Sequence, residues 1–224
     1  NKVKRSWKMA GLDDIEIDHI QKNRPSLANN TPLVLRKVAE NENIGVFSKP
    51  IKLYRGIEKF KNESAQKIVK TLKQIDDIQQ PGATYLPTRR RVAAQVTKSL
   101  KDLKKDMADE FGSALEGSYA SKVSAIDNAI DSWSNKVLGK GSSKQYSARG
   151  LWSDKVKYDK VVPHGKTKLT VEQAIDQKIA NVFREEVGLI SKGAPAELGQ
   201  NLNKSMLDYG TAASYNNALS KHIK

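Results

Sequence analysis

Tyr119, Val123, Ile126, Ile130, Trp133 and Val137 step by four, three, four, three and four residues. That spacing puts six apolar side chains on one face of a helix and is incompatible with the two-residue period of a strand. The stripe is long enough for helix-on-helix packing and too short for an extended coiled coil. Trp133 sits on it and reads as a core residue rather than a ring offered to a ligand.

The same spacing recurs elsewhere. Ala65, Ile68, Leu72 and Ile75 predict a helix over 62–79, ended by Gln80-Pro81-Gly82. Val92, Val96, Leu100, Leu103, Met107 and Phe111 predict a helix after Thr88, whose hydroxyl can accept an orphan N–H of the first turn. Val171, Ile175, Ile179, Val182 and Phe183 predict a helix from Thr170, with Glu172 and Gln173 near the capping-box position. Leu202, Met206, Tyr209, Ala213 and Leu219 predict a last one, and Leu12 to Ile20 reads as a short acidic helix. Asn23-Arg24-Pro25-Ser26 and Asn29-Asn30-Thr31-Pro32 are turn signals. Leu33 to Val38 fits a strand or a helical turn, and Ile51 to Tyr54, Ala83 to Leu86 and Val156 to Val162 read as short strands. The expected fold is therefore mainly α, with about half the chain helical and a minor β component, an α-rich α+β domain with an all-α bundle as the alternative. A single domain over 1–224 is expected, with a possible sub-boundary in the loop 139–169. Asn1 stands where a Met would open a chain, which suggests an excised domain or a processed product.

Composition excludes several chemistries. With no cysteine, the chain has no disulfide framework, cysteine-ligated zinc or thiol nucleophile. His19, His164 and His222 lie far apart, so no local metal motif exists. No apolar run reaches the roughly 20 residues of a membrane helix, and no signal-peptide core is visible. A soluble protein is expected, in a reducing compartment or secreted without disulfides. The Asp13-Asp14, Glu16 and Asp18 cluster lacks the pattern of a calcium loop, and Asp76-Asp77 has no evident partner. Gly139-Lys140-Gly141-Ser142-Ser143 lacks phosphate-loop spacing.

The net charge of +14 is concentrated. Residues 89–105 hold Arg89, Arg90, Arg91, Lys98, Lys101, Lys104 and Lys105 against Asp102, and residues 136–168 hold eight lysines and Arg149 against Asp154 and Asp159. Such clustering points to an anionic partner: nucleic acid, a nucleotide or an acidic protein face. The bland counterpart is a lysine-rich solvated surface. Arg89 to Arg91 fall in the first turn of a predicted helix, where they oppose its dipole at a cost of about a few tenths of a kcal/mol each unless something else holds them there. Lys144, Tyr146, Arg149, Trp152, Lys155, Lys157 and Tyr158 interleave cations with rings, and Arg91, Lys98 and Lys105 recur every seven residues. Cations can neutralise phosphates and rings can stack on bases. One reading is thus a non-enzymatic helical domain that binds DNA or RNA through 89–105 and 144–168, and its counterpart is a basic loop whose rings pack on the core.

Three further pieces occur in order: Tyr54-Arg55-Gly56, then Leu86-Pro87-Thr88 running into Val92-Ala93, then Glu186-Val187. Together they resemble the ADP-ribosyltransferase toxins of the Arg–Ser–Glu type. That family has a strand ending in Tyr-Arg-Gly, a Ser-Thr-Ser strand leading into a helix, and a Glu-x-Glu-Val stretch. The Ser-Thr-Ser is absent here, and Arg184 stands where arginine-modifying members carry the first Glu. The resemblance implies an effector domain that uses NAD to modify a macromolecule. Arg55 would hold the phosphates, Thr88 would order the site, and Glu186 would stabilise the positive ribose centre. It also implies a sheet joining 51–54, 83–86 and 187–190. Glu186 also shares helical spacing with Ile175, Ile179, Val182 and Leu189, under which it is one turn of an amphipathic helix. A third class, an interaction protein that is secreted or packaged in a virion, would show neither activity.

Overall fold

A computed structural model describes residues 2–44, 50–78, 85–107, 118–159 and 169–220. Among them the chain forms α1 (Lys2–Met9), α2 (Asp14–Asn23), α3 (Pro25–Asn41), α4 (Pro50–Asp77), α5 (Arg89–Asp106), α6 (Tyr119–Leu138), α7 (Ala148–Asp159), α8 (Val171–Gly193) and α9 (Ala196–Ser220). Helix accounts for 85% of the described residues, and none of them lies in a strand. The expected half-helical α+β fold is corrected to the all-α alternative.

The misread segments share a physical cause. Ile51 to Tyr54 lies in the first turns of α4, where two alternating apolar residues fit either period and the following 23 residues of helix decide. Val156 to Asp159 ends α7, and the remainder of that predicted strand lies outside the described residues. Of Ala83 to Leu86, Tyr85 and Leu86 are described and belong to no strand. Leu33 to Val38 takes its helical alternative within α3, and the turn signal before it is also helical, with Pro32 in mid-helix. The polar side chains there are already engaged. Asn30 donates to Asp208 Oδ1 at 3.0 Å and to Thr211 Oγ1 at 3.1 Å, and Thr31 donates back to the Leu27 carbonyl at 2.9 Å. With those bonds satisfied, they no longer compete with the helix for backbone groups.

The chain divides into two compact units, 1–71 with 200–224, and 72–199, so the divisions fall inside α4 and α9. In the first, Trp7, Ile17, Val34, Val38, Ile57, Phe60, Tyr215 and Leu219 form the core. Trp7 and Tyr215 lie 5.2 Å apart, and the Tyr215 hydroxyl donates to the Ser6 carbonyl at 2.9 Å. Gly56 belongs to this core. A methyl there would stand 2.9 Å from Val38, so the glycine is required by the approach of α4 to α3.

In the second unit α5 packs on α6 and α8, and α7 packs on α8. The predicted α5 stripe is buried at Val92, Val96, Leu100 and Leu103. The α6 stripe is buried at Ile126, Ile130 and Trp133 and emerges at Tyr119, which is 60% exposed. Phe183 of α8 is fully buried and gathers the rings of Trp133, Tyr146 and Tyr158 within 6.2 Å. Its burial alone is worth roughly 1.5–3 kcal/mol.

Two glycines give opposite expectations. A Cβ on Gly188 of α8 meets nothing within 4 Å, whereas one on Gly199 falls 2.3 Å from the Ser191 carbonyl oxygen. Gly188→Ala should therefore raise stability by about 0.5–1 kcal/mol through helix propensity, and Gly199→Ala should lower it by about 1–3 kcal/mol through the forced shift. Urea unfolding of the two variants checks both signs.

Candidate nucleic-acid interface

The sequence brings together the two basic stretches by a short turn. Gly141 has φ +83°, a backbone that side-chain-bearing residues rarely adopt, and it lets Lys144 N–H donate to its carbonyl at 3.0 Å. The reversed loop then lies over the start of α5. Arg89 N–H donates to the Lys144 carbonyl at 2.9 Å and Arg90 N–H to the Ser142 carbonyl at 2.8 Å. Tyr146 N–H donates to the Pro87 carbonyl at 2.9 Å, and Thr88 faces Gln145 in an isolated antiparallel bridge. Thr88 is the N-cap of α5, its hydroxyl accepting from Arg91 N–H at 3.2 Å.

These bonds explain the three arginines in the first turn. The first three N–H groups of α5 all meet oxygen, two of them loop carbonyls, so the positive end of the helix is covered. Two of the three arginine side chains have partners. Arg89 lies 5.5 Å over the Tyr146 ring. Arg91 lies 5.1 Å over the Tyr85 ring and donates through Nε to Glu186 Oε1 at 3.3 Å. The Tyr85 hydroxyl donates to the other carboxylate oxygen at 3.0 Å. Burial, then the bond to Glu186, pushes the Tyr85 phenol up to about 12, which keeps it a donor. Burial and Asp154 likewise push Tyr146 up to about 12.

The remaining cations divide into engaged and available ones. Arg149 donates to Asp76 Oδ2 at 3.1 Å, and Asp76 also accepts from the Ala148 and Arg149 N–H groups at 2.6 and 3.3 Å. Asp76 therefore caps the start of α7, a role the sequence did not disclose. Lys155 is buried, pairs with Asp159, and lies 4.7 Å over the Trp152 ring. Burial lowers its pKa despite the carboxylate. Asp159 also accepts from Arg184 at 3.1 Å. Lys104 holds both oxygens of Asp127 at 2.7 Å.

Arg90, Lys98, Lys101, Lys105, Lys140 and Lys144 are exposed, and among the described residues none has an ion-pair partner. On α5, Arg90, Lys98, Lys101 and Lys105 fall within about 80° of one another at about 100° per residue and span about 22 Å of helix. Asp102 is the acidic residue beside that row. Lys101 belongs to the stretch 89–105 expected to bind, and a helical projection of α5 groups it with Arg90 and Lys105; Lys140 lies outside the expected stretch 144–168. Lys157 is exposed and lies 5.7 Å over the Tyr158 ring.

The residues of the transferase resemblance have a different setting. Arg55 is exposed on α4 in the first unit, while Thr88 and Glu186 belong to the second. The stretch 187–190 is helical, as is 51–54, so the sheet that the resemblance implies is replaced by helix in both. The Glu186 side chain is 4% exposed, and both of its oxygens are hydrogen-bonded within the protein. Among the described residues no group of three or more His, Asp or Glu could hold a metal ion, and no helix is long and apolar enough to cross a membrane. Comparison with protein-family models, with curated proteins and with solved structures finds no match.

Proposed function

We propose that the 72–199 unit binds the phosphate backbone of nucleic acid through the exposed face of α5 and the loop between α6 and α7. The observation that carries this reading is the hydrogen bonding of the 139–147 loop to the first turn of α5. It joins Lys140 and Lys144 to the row Arg90, Lys98, Lys101 and Lys105, all without ion-pair partners among the described residues. A solvated basic surface needs no such assembly, whereas six exposed cations gathered on one unit form a phosphate-neutralising surface.

A salt titration of binding to a DNA duplex of mixed sequence tests the reading. Neutralising about five phosphates predicts a slope near −4.5 in log K against log salt, a loss of roughly 500-fold between about 50 and 200 mM. Absence of binding at low salt, or binding indifferent to salt, removes it.

A further inference from the structure

We infer that the partner is a duplex held by its backbone, with no base stacked on a protein ring; this rests on the phosphate-binding reading above. The rings within the basic stretches are already occupied. Tyr158 stacks on Phe183 with an interplanar angle of 11° and carries Lys157 over its ring. Tyr146 meets Phe183 edge-on at 85° and carries Arg89. Trp133 is covered by Lys136 at 3.7 Å, and Trp152 is 5% exposed beneath Lys155. A base could reach one of these rings only by displacing a cation the protein itself has seated there. That removes the sequence-tolerant stacking by which proteins hold single strands. What remains is a rigid row of charge, and a duplex offers it about one phosphate charge per 1.7 Å of axis, roughly twice the density of one of its strands. Tyr119 at the start of α6, 60% exposed, lies outside both basic stretches and serves as the ring to be challenged.

The experiment compares two duplexes of about 20 base pairs, unrelated in sequence, with single-stranded oligothymidylate of the same length at about 50 mM salt. Anisotropy of the labelled nucleic acid gives affinity, and the protein's own ring fluorescence reports stacking. Both duplexes should bind within about twofold of each other and more tightly than the single strand. Ring emission should be unquenched by oligothymidylate, and Tyr119→Ala and Tyr158→Leu should leave affinities unchanged. The fluorescence of the unaltered protein keeps the test decisive if Tyr158→Leu does not fold. Oligothymidylate bound as tightly as duplex or tighter, with quenched emission, overturns this inference and leaves phosphate binding standing. Binding of neither form at low salt overturns the underlying reading itself.

Discussion

The variant Arg90→Glu, Lys98→Glu, Lys144→Glu should bind duplex DNA on the order of a thousandfold more weakly than the unaltered protein at low salt. The proposed surface would lose three phosphate contacts and gain three repulsions, all at exposed side chains with no ion-pair partner among the described residues. Stability should change little, because all three side chains are exposed and hold no ion pair among the described residues. The control is equal in charge and different in location: Lys22→Glu, Lys67→Glu, Lys204→Glu alters three exposed lysines of the first unit. Its affinity should fall far less, since none of those three lysines belongs to α5 or the 139–147 loop. Equal losses in the two variants would mean that net charge, not this surface, governs binding.

The second large effect concerns Glu186. Glu186→Ala should destabilise the 72–199 unit by about 2–3 kcal/mol, measured by urea unfolding. The carboxylate joins α8 to the segment that caps α5, through Tyr85 and Arg91, from a side chain that is 4% exposed. Its loss leaves the half-buried Tyr85 hydroxyl without that acceptor and a small void. Because Arg91 is 47% exposed, the effect stays below the roughly 3–5 kcal/mol of a fully buried pair. Glu186→Gln preserves shape and an acceptor for Tyr85, and should cost about half as much. A catalytic carboxylate behaves in the opposite manner, giving NAD cleavage in the unaltered protein that disappears in Glu186→Ala while stability holds. That result would revive the transferase reading.

These two expectations mark what the chain discloses locally and what it does not. The Thr88 cap and the Thr170–Gln173 capping box were legible because a cap is a contact three residues long. The α5 and α6 stripes were legible because their burial repeats with the helical period. The start of α4 was not, since four residues from Ile51 to Tyr54 carry too little periodicity to separate strand from helix. Gly56 completed a suggestive Tyr-Arg-Gly for a reason found in packing, the approach of α4 to Val38. In the site, the basic clusters were evident, but which cations are available was not. Arg149 is matched by Asp76 across 73 residues and Arg91 by Glu186 across 95, and no spacing rule reaches that far. The rings of Tyr146, Trp152 and Tyr158 looked available for stacking because a sequence does not reveal that Phe183 and the neighbouring cations occupy them.

Under the proposed function, α5 and the 139–147 loop form one phosphate-binding surface. Isotope-labelled protein titrated with a short DNA duplex at low salt, followed by its backbone amide resonances, tests that most directly. Shifts should concentrate at residues 89–91, 98, 101, 105 and 140–146 and reverse when salt is raised. Shifts confined to the 1–71 and 200–224 unit, or no shifts while both basic stretches remain folded, would contradict it.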